Sequence, residues 1–251
     1  VKFVFSNPVA IRNGDQQYIY RQSSDFFYLT GITQPESVLV MYHSEGSWYE
    51  ILFITRPDPK TAIWDGYQLN SDDASAISGV TDIRFTDSMK STLENLAQKC
   101  SKIAPTYPAH HQVAVQWVDH LMKENDQLQQ TNLQAIIAQV RTIKSPEEIA
   151  LIKKAVEITE KAFHNLVKKV RPGIKEYEIE AEIIRTFIAN GSDGHAFDPI
   201  VASGPNACTL HYINNNRTML ANELLLLDFG AEFNGYAADM SRTLPIGGYF
   251  S

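Results

Sequence analysis

The stretch from Leu224 to Thr243, LLLLDFGAEFNGYAADMSRT, constrains this chain more tightly than any other. Four leucines form an apolar strand that runs directly into a carboxylate, Asp228. Asn234-Gly235 is a strong signal for a two-residue hairpin turn, because both residues accept the positive φ that such a turn requires. Centred there, the turn sets Asp228 opposite Ser241 and Asp239 opposite Gly230. Strand side chains alternate with period two, so the two aspartates fall on one face as diagonal neighbours. A loop longer by two residues would make them direct partners, and only an odd-length loop would separate them. Two carboxylates beside an apolar strand repel and lose hydration, so a shared proton, a basic partner or a metal must offset the cost. Hard oxygen ligands combined with histidine suit Mn²⁺, Mg²⁺ or Zn²⁺. Two solvated edge-strand residues, or a pairing with Arg242, would satisfy the spacing equally well.

Elsewhere the pattern divides the chain in two. Glu36 to His43 and Ser47 to Thr55 are rich in β-branched and aromatic residues and flank the turn-like Ser44-Glu45-Gly46, which predicts a hairpin. Helical spacing follows in Ser88 to Cys100 and in Val113 to Leu128. Strands interleaved with helices predict an α/β layer up to about residue 140. Ser145-Pro146-Glu147-Glu148 then opens a long helix. Ser145 is placed to cap, Pro146 suits the first helical position, and Glu148 can complete a capping box. Ile149, Ile152, Val156, Phe163, Leu166 and Val170 mark its apolar stripe, and Arg171-Pro172-Gly173 ends it. A second helix is expected from Glu176 to Asn190. Strands are expected at Phe197 to Ala202, Cys208 to Tyr212, Glu223 to Phe229 and Gly235 to Leu244.

Charge and composition remove several classes of function. The 22 Lys and Arg against 29 Asp and Glu give a net charge of -7 with no basic run, so nucleic acid is not expected as a partner. No apolar stretch approaches the ~20 residues of a membrane span. The two cysteines, Cys100 and Cys208, lie far apart and outside any CxxC, which argues against a disulfide scaffold or a cysteine zinc site. These features lead to the expectation of a soluble cytoplasmic protein. Asp228-Phe229-Gly230 also spells the metal-binding tripeptide of protein kinases, but no His-Arg-Asp segment accompanies it.

The run Asp228-Phe229-Gly230 followed by Gly235-Tyr236-Ala237-Ala238-Asp239-Met240-Ser241-Arg242-Thr243 resembles the first metal-ligand block of the pita-bread metallopeptidases. Upstream, Phe197-Asp198-Pro199-Ile200-Val201-Ala202-Ser203-Gly204-Pro205-Asn206-Ala207 and His211-Tyr212 are similar to the preceding block of aminopeptidase P and prolidase. Lys144 to Ile149 matches that family's interdomain junction. Tyr20 to Gly31, YRQSSDFFYLTG, and Trp64-Asp65-Gly66 resemble the aminopeptidase P N-terminal domain, so the likeness touches both halves of the chain.

The resemblance implies an α/β (α+β) chain, with a creatinase-like N-terminal domain over 1–140 and the first part of a pita-bread catalytic domain over 141–251. It implies an Xaa-Pro aminopeptidase that uses a hydroxide activated by two divalent metal ions, Mn²⁺ foremost with Zn²⁺ or Co²⁺ as substitutes, on peptides with proline second. Asp228 would hold one metal and Asp239 would bridge both, while His211 would stabilise the tetrahedral species. His195, Trp64, Asp25 and Arg242 are the candidate substrate contacts, although a solvated loop for His195, core or interface packing for Trp64 and a structural ion pair for Arg242 explain them too. In this family Trp64 or Asp25 could reach a neighbouring subunit's cleft, so a homo-oligomer is expected. A prolidase-type dipeptidase, or a non-catalytic relative, is the alternative. The family's further ligands, one His and two Glu, do not appear: the chain ends at Ser251, twelve residues after Asp239, and no His follows His211. With two of the five implied ligands, the expectation is a C-terminally truncated chain that is inactive alone.

Overall fold

The computed structural model describes residues 1–107 and 111–250. They form two compact units, Val1–Ile143 and Lys144–Ser251. The first is an α/β unit built on a six-stranded sheet. Its strand order is Ile83–Phe85, Ser47–Ile54, Val38–Ser44, Lys2–Phe5, Lys102–Thr106 and Gln129–Gln130. The expected hairpin is present, with Val38–Ser44 paired to Ser47–Ile54 in a register that sets Ser44 against Ser47. Its turn residues Glu45 and Gly46 have φ 50° and 81°, the left-handed pair of a tight hairpin.

Both faces of this sheet are covered, which explains why its strands read as unbroken apolar runs. Phe3, Phe5, Val40 and Phe53 pack against Leu93, Val118 and Leu121 on one side. Val4, Leu39, Leu52 and Ile54 meet Phe26, Ile32, Ala74 and Ile137 on the other. His110-His111, after Pro108-Ala109, reads from the sequence as an exposed pair; His110 lies outside the described residues, and His111 is buried. Its Nδ1 accepts from the Ala114 N–H (3.2 Å) at the start of helix Gln112–Glu124, which leaves Nε2–H to donate to the Ser6 carbonyl (2.9 Å). A capping demand drew it inward.

The second unit sets two helices, Pro146–Val167 and Glu176–Ala189, against antiparallel strands. The capping box forms as expected: Ser145 Oγ accepts from the Glu148 N–H (3.3 Å), and Glu148 Oε2 accepts from the Ser145 N–H (2.7 Å). The buried stripe of the long helix is shifted from the expected one. Ile149 and Val156 are exposed, whereas Ala155, Ile158, Thr159, Ala162 and Leu166 are buried. Small residues let this helix approach a strand backbone closely. Thr159 Oγ1 accepts from the Ala231 N–H at 3.0 Å.

The strands form two three-stranded sheets, Ile200–Ser203 with Leu224–Phe229 and Met240–Pro245, and Tyr236–Ala237 with Ala231–Phe233 and Gly194–His195. One hairpin runs through both. The strand expected from Gly235 to Leu244 is interrupted at Ala238 and Asp239, opposite Gly230. Cys208 to Tyr212 is not a strand. A 3-10 turn at Gly204–Cys208 begins at Gly204-Pro205, and an exposed turn carrying His211 follows.

Candidate metal centre

The hairpin keeps one register from its tip to its base. Phe233 pairs with Tyr236, Glu232 with Ala237, and Asp228 with Ser241. Asn234 and Gly235 at the tip have φ 47° and 77°. The alternation that follows buries Leu225, Leu227 and Phe229 on the helix side and puts Leu226 and Asp228 on the other. Asp239 falls on the same face as Asp228, and the two carboxylates are in hydrogen-bonding contact.

Their electrostatics follow from this placement. Partial desolvation, then the charge of Asp228 and the hydrogen bond with it, push the Asp239 carboxyl above the usual aspartate range. Asp228 accepts from Ser241 Oγ at 3.0 Å, a neutral donor that offsets little of the repulsion. Arg242 does not relieve it either. Arg242 pairs with Leu227, one residue out of phase with Asp228, and so belongs to the opposite face. It donates to the Ser241 carbonyl (2.7 Å) and forms no ion pair among the described residues. An acidic pair lacking a counter-cation fits a hard divalent ion held through oxygen. Among the described residues no group of three or more His, Cys, Asp and Glu side chains could hold a metal, so this chain presents two carboxylate donors and no third.

The other candidates separate by position. His211 is exposed on the turn after Gly204–Cys208. Its neighbour Tyr212 is buried against Ile200 and Ala202, and Ile200 pairs with Asp228, which seats the His211 turn on the carboxylate face. His195 pairs with Ala231, and the Ala196 N–H donates to the Gly230 carbonyl (2.8 Å), so this edge strand borders the bend opposite Asp239. The His195 ring meets Asp198 at 3.3 Å. Trp64 and Asp25 belong to the first unit. Trp64, 86% exposed on helix Pro59–Asp65, is not a core residue. Asp25 is engaged by Arg141 at 2.5 Å, a structural ion pair.

One residue with a large role beside this face is invisible in the pattern. Glu176, at the first turn of helix Glu176–Ala189, has no exposed surface. Its Oε1 accepts from Ser203 N–H (2.7 Å), Ser203 Oγ (2.6 Å) and Asn206 Nδ2 (3.2 Å). Its Oε2 accepts from Tyr212 OH (2.7 Å) and Arg217 N–H (2.9 Å). Burial raises its pKa, but the hydroxyls of Ser203 and Tyr212 and the two backbone donors outweigh that, leaving it below the usual glutamate value. A glutamate opening a helix reads from sequence as a solvated N-terminal charge, and its donors come from 27 to 41 residues further along.

Comparison with known proteins bears directly on this arrangement. Residues 150–251 match metallopeptidase family M24, and residues 1–104 match the aminopeptidase P N-terminal domain. The second half of the chain is thus similar to the M24 metallopeptidases and the first half to the N-terminal domain of aminopeptidase P. The Xaa-Pro aminopeptidase of Escherichia coli is 34% identical over 99% of the chain, and human Xaa-Pro aminopeptidase 3 is 31% identical over 99%. The chain superposes on proline aminopeptidase P II from Yersinia pestis with TM-score 0.93 at 32% identity, using all of this chain and 59% of that one. It also superposes on Escherichia coli aminopeptidase P with the inhibitor Pro-Leu, with TM-score 0.90 at 34% identity and 59% of that chain. The chain spans 58% of the Escherichia coli relative's length and 50% of the human one's. The matched family is one of metallopeptidases, and carboxylate oxygens such as those of Asp228 and Asp239 are donors suited to hard divalent ions.

Proposed function

We propose that this chain contributes to an Xaa-Pro aminopeptidase, which hydrolyses the bond between an N-terminal residue and a following proline. The observation that carries the reading is the Asp228–Asp239 pair, placed on one sheet face at the bend of the hairpin with no ion pair to either carboxylate among the described residues. Similarity to Xaa-Pro aminopeptidases along 99% of the chain supports the substrate class.

In this reading Asp228 and Asp239 hold divalent cations, Mn²⁺ foremost with Zn²⁺ or Co²⁺ as substitutes. Such ions supply Lewis acidity and lower the pKa of water toward neutrality. Ser241 orients the Asp228 carboxylate. His211, from its turn on the same face, donates a hydrogen bond to the oxygen that gains charge as the carbonyl becomes tetrahedral. His195 borders the substrate side. Arg242 braces the return strand, and Trp64 and Asp25 act within the first unit or at a subunit interface of a cytoplasmic homo-oligomer. No helix among the described residues is long and apolar enough to cross a membrane.

Two carboxylates leave most of a cation's coordination to water, so the 251-residue chain by itself is expected to cleave no Xaa-Pro peptide. The positive test is a fusion of residues 1–251 to the remaining C-terminal segment of the Escherichia coli relative. With Mn²⁺, the fusion should release the N-terminal residue from an Xaa-Pro tripeptide, and Asp228→Ala should abolish release. A folded, metal-loaded fusion that leaves such peptides intact would overturn the assignment.

A further inference from the structure

His211 sits on a segment that regular secondary structure does not hold. Between Ser203 and Arg217 the chain makes one 3-10 turn and then runs without helix or strand. Loops of this kind are placed by what their ends and middle are tied to. Two ties are present. Asn215, at φ 43°, accepts from the Val201 N–H (3.0 Å) and donates to the Pro199 carbonyl (2.8 Å), fastening the end of the loop to its first strand. The larger tie is Glu176, whose carboxylate collects Ser203 at the start, Asn206 in the 3-10 turn, Tyr212 in the middle and Arg217 at the end. The Glu176 N–H also donates to the Arg217 carbonyl (3.0 Å).

Taking a carboxylate out of water costs several kcal/mol unless its lone pairs are filled. Here they are filled entirely by donors from the loop or its two ends. Folding the carboxylate in and ordering the loop are therefore one event, and the loop has one arrangement that satisfies it. Tyr212 is the link that bears on the carboxylate face. Its hydroxyl is fixed by Glu176, its ring packs on Ile200 and Ala202 beside Asp228, and it is bonded directly to His211.

We infer that Glu176 is a positioning residue for His211: from outside the carboxylate face, it locks the 203–217 loop and so holds the His211 turn on the sheet face that carries the Asp228–Asp239 pair. This rests on the reading of that pair as a cation site, and the test separates the two ideas. The 251-residue chain, labelled in histidine ring carbons and backbone nitrogens, is titrated with Mn²⁺, and with Mg²⁺ as the diamagnetic control. Broadening by Mn²⁺ falls with the inverse sixth power of distance. Loss of one ring signal in His211→Gln assigns His211.

In the parent chain both the Ser241 amide and the His211 ring should broaden with Mn²⁺ and not with Mg²⁺. In Glu176→Gln, which keeps the size but turns an amide N–H toward the loop donors, Ser241 should still broaden while His211 recovers at least half its metal-free intensity. Tyr212→Phe removes only the linking hydroxyl, should fold even where Glu176→Gln does not, and should give a smaller recovery in the same direction. A folded variant in which Ser241 and His211 broaden as in the parent would overturn the positioning role alone. Absence of Mn²⁺ broadening at Ser241 in the parent would remove the cation site, and the inference with it.

Discussion

Gly230 lies so close to the carbonyl of Ala238 that a Cβ built on it would stand 1.7 Å from that oxygen. No side chain fits there, and the approach coincides with the break between the two sheets of the second unit. The Leu224–Phe229 strand ends at this glycine, and the return strand loses its ladder at Ala238 and Asp239 before resuming at Met240. The bend therefore occurs where the carboxylates meet. Gly230→Ala should cost about 3 kcal/mol or more, because the obstacle is backbone and cannot rotate away. Chemical denaturation followed by far-ultraviolet circular dichroism measures it, and a loss under 1 kcal/mol would mean the approach is not required.

Thr159 ties the long helix to the far half of the same hairpin. Its hydroxyl donates to the Ala155 carbonyl (2.9 Å) and accepts from the Ala231 N–H (3.0 Å), both in buried surroundings. Thr159→Val keeps the shape but leaves a buried N–H without its acceptor, a loss of about 1–3 kcal/mol. Hydrogen exchange at Ala231 should accelerate in proportion. Unchanged exchange there would show that the hydroxyl contributes nothing.

Glu182 makes the second unit's stability depend on pH. It is buried between Arg185 and Lys169, and hydrogen bonds with Arg185, opposed by burial and reinforced by Lys169, lower its pKa from 4.5 to about 2. A carboxyl with a depressed folded pKa adds stability that is complete above its unfolded value and lost as pH falls toward the folded one. The window therefore runs from about pH 5 down to about 2. Both cationic partners are more than half exposed, so solvent screening reduces the gain, and Glu182→Gln should cost about 1–2 kcal/mol at neutral pH. Urea melts of parent and variant should converge as pH drops through that window. A gap independent of pH would rule out the coupling.

What the sequence carried legibly was whatever depends on neighbours along the chain. Asn234-Gly235 fixes a turn, period two carries the register outward, and the opposition of Asp228 to Ser241 follows without tertiary information. Ser145 and Glu148 cap the long helix for the same reason. The shortfalls arise where a distant surface decides. Apolar periodicity favours a stripe through Ile149 and Val156, but at Ala231 the helix approaches a strand backbone, and Ala155, Thr159 and Ala162 turn inward beside Ile158 and Leu166. Cys208 to Tyr212 has strand composition, yet Tyr212 is committed to a carboxylate on helix Glu176–Ala189. Glu176 was beyond reach because carboxylates are almost always solvated, and only the assembled loop supplies the donors that let this one be buried.

The Asp228–Asp239 pair should leave a thermodynamic mark without any peptide being cleaved. Partial desolvation and the Asp228 charge raise the Asp239 carboxyl, so with both groups ionised the metal-free fold carries a repulsion that the unfolded chain does not. Asp239→Asn should therefore raise Tm slightly in EDTA, by about 1–3 °C after allowing for exposure. Acid should erase that advantage, since protonating Asp239 relieves the parent in the same way. Millimolar Mn²⁺ should reverse the order, because a ligand that binds only the folded state stabilises the parent and passes over the variant. Calorimetric scans with EDTA and with Mn²⁺, at neutral and acidic pH, separate the four conditions. A parent that Mn²⁺ leaves unshifted, or a variant it stabilises equally, would mean that the paired acids are surface charges and hold no cation.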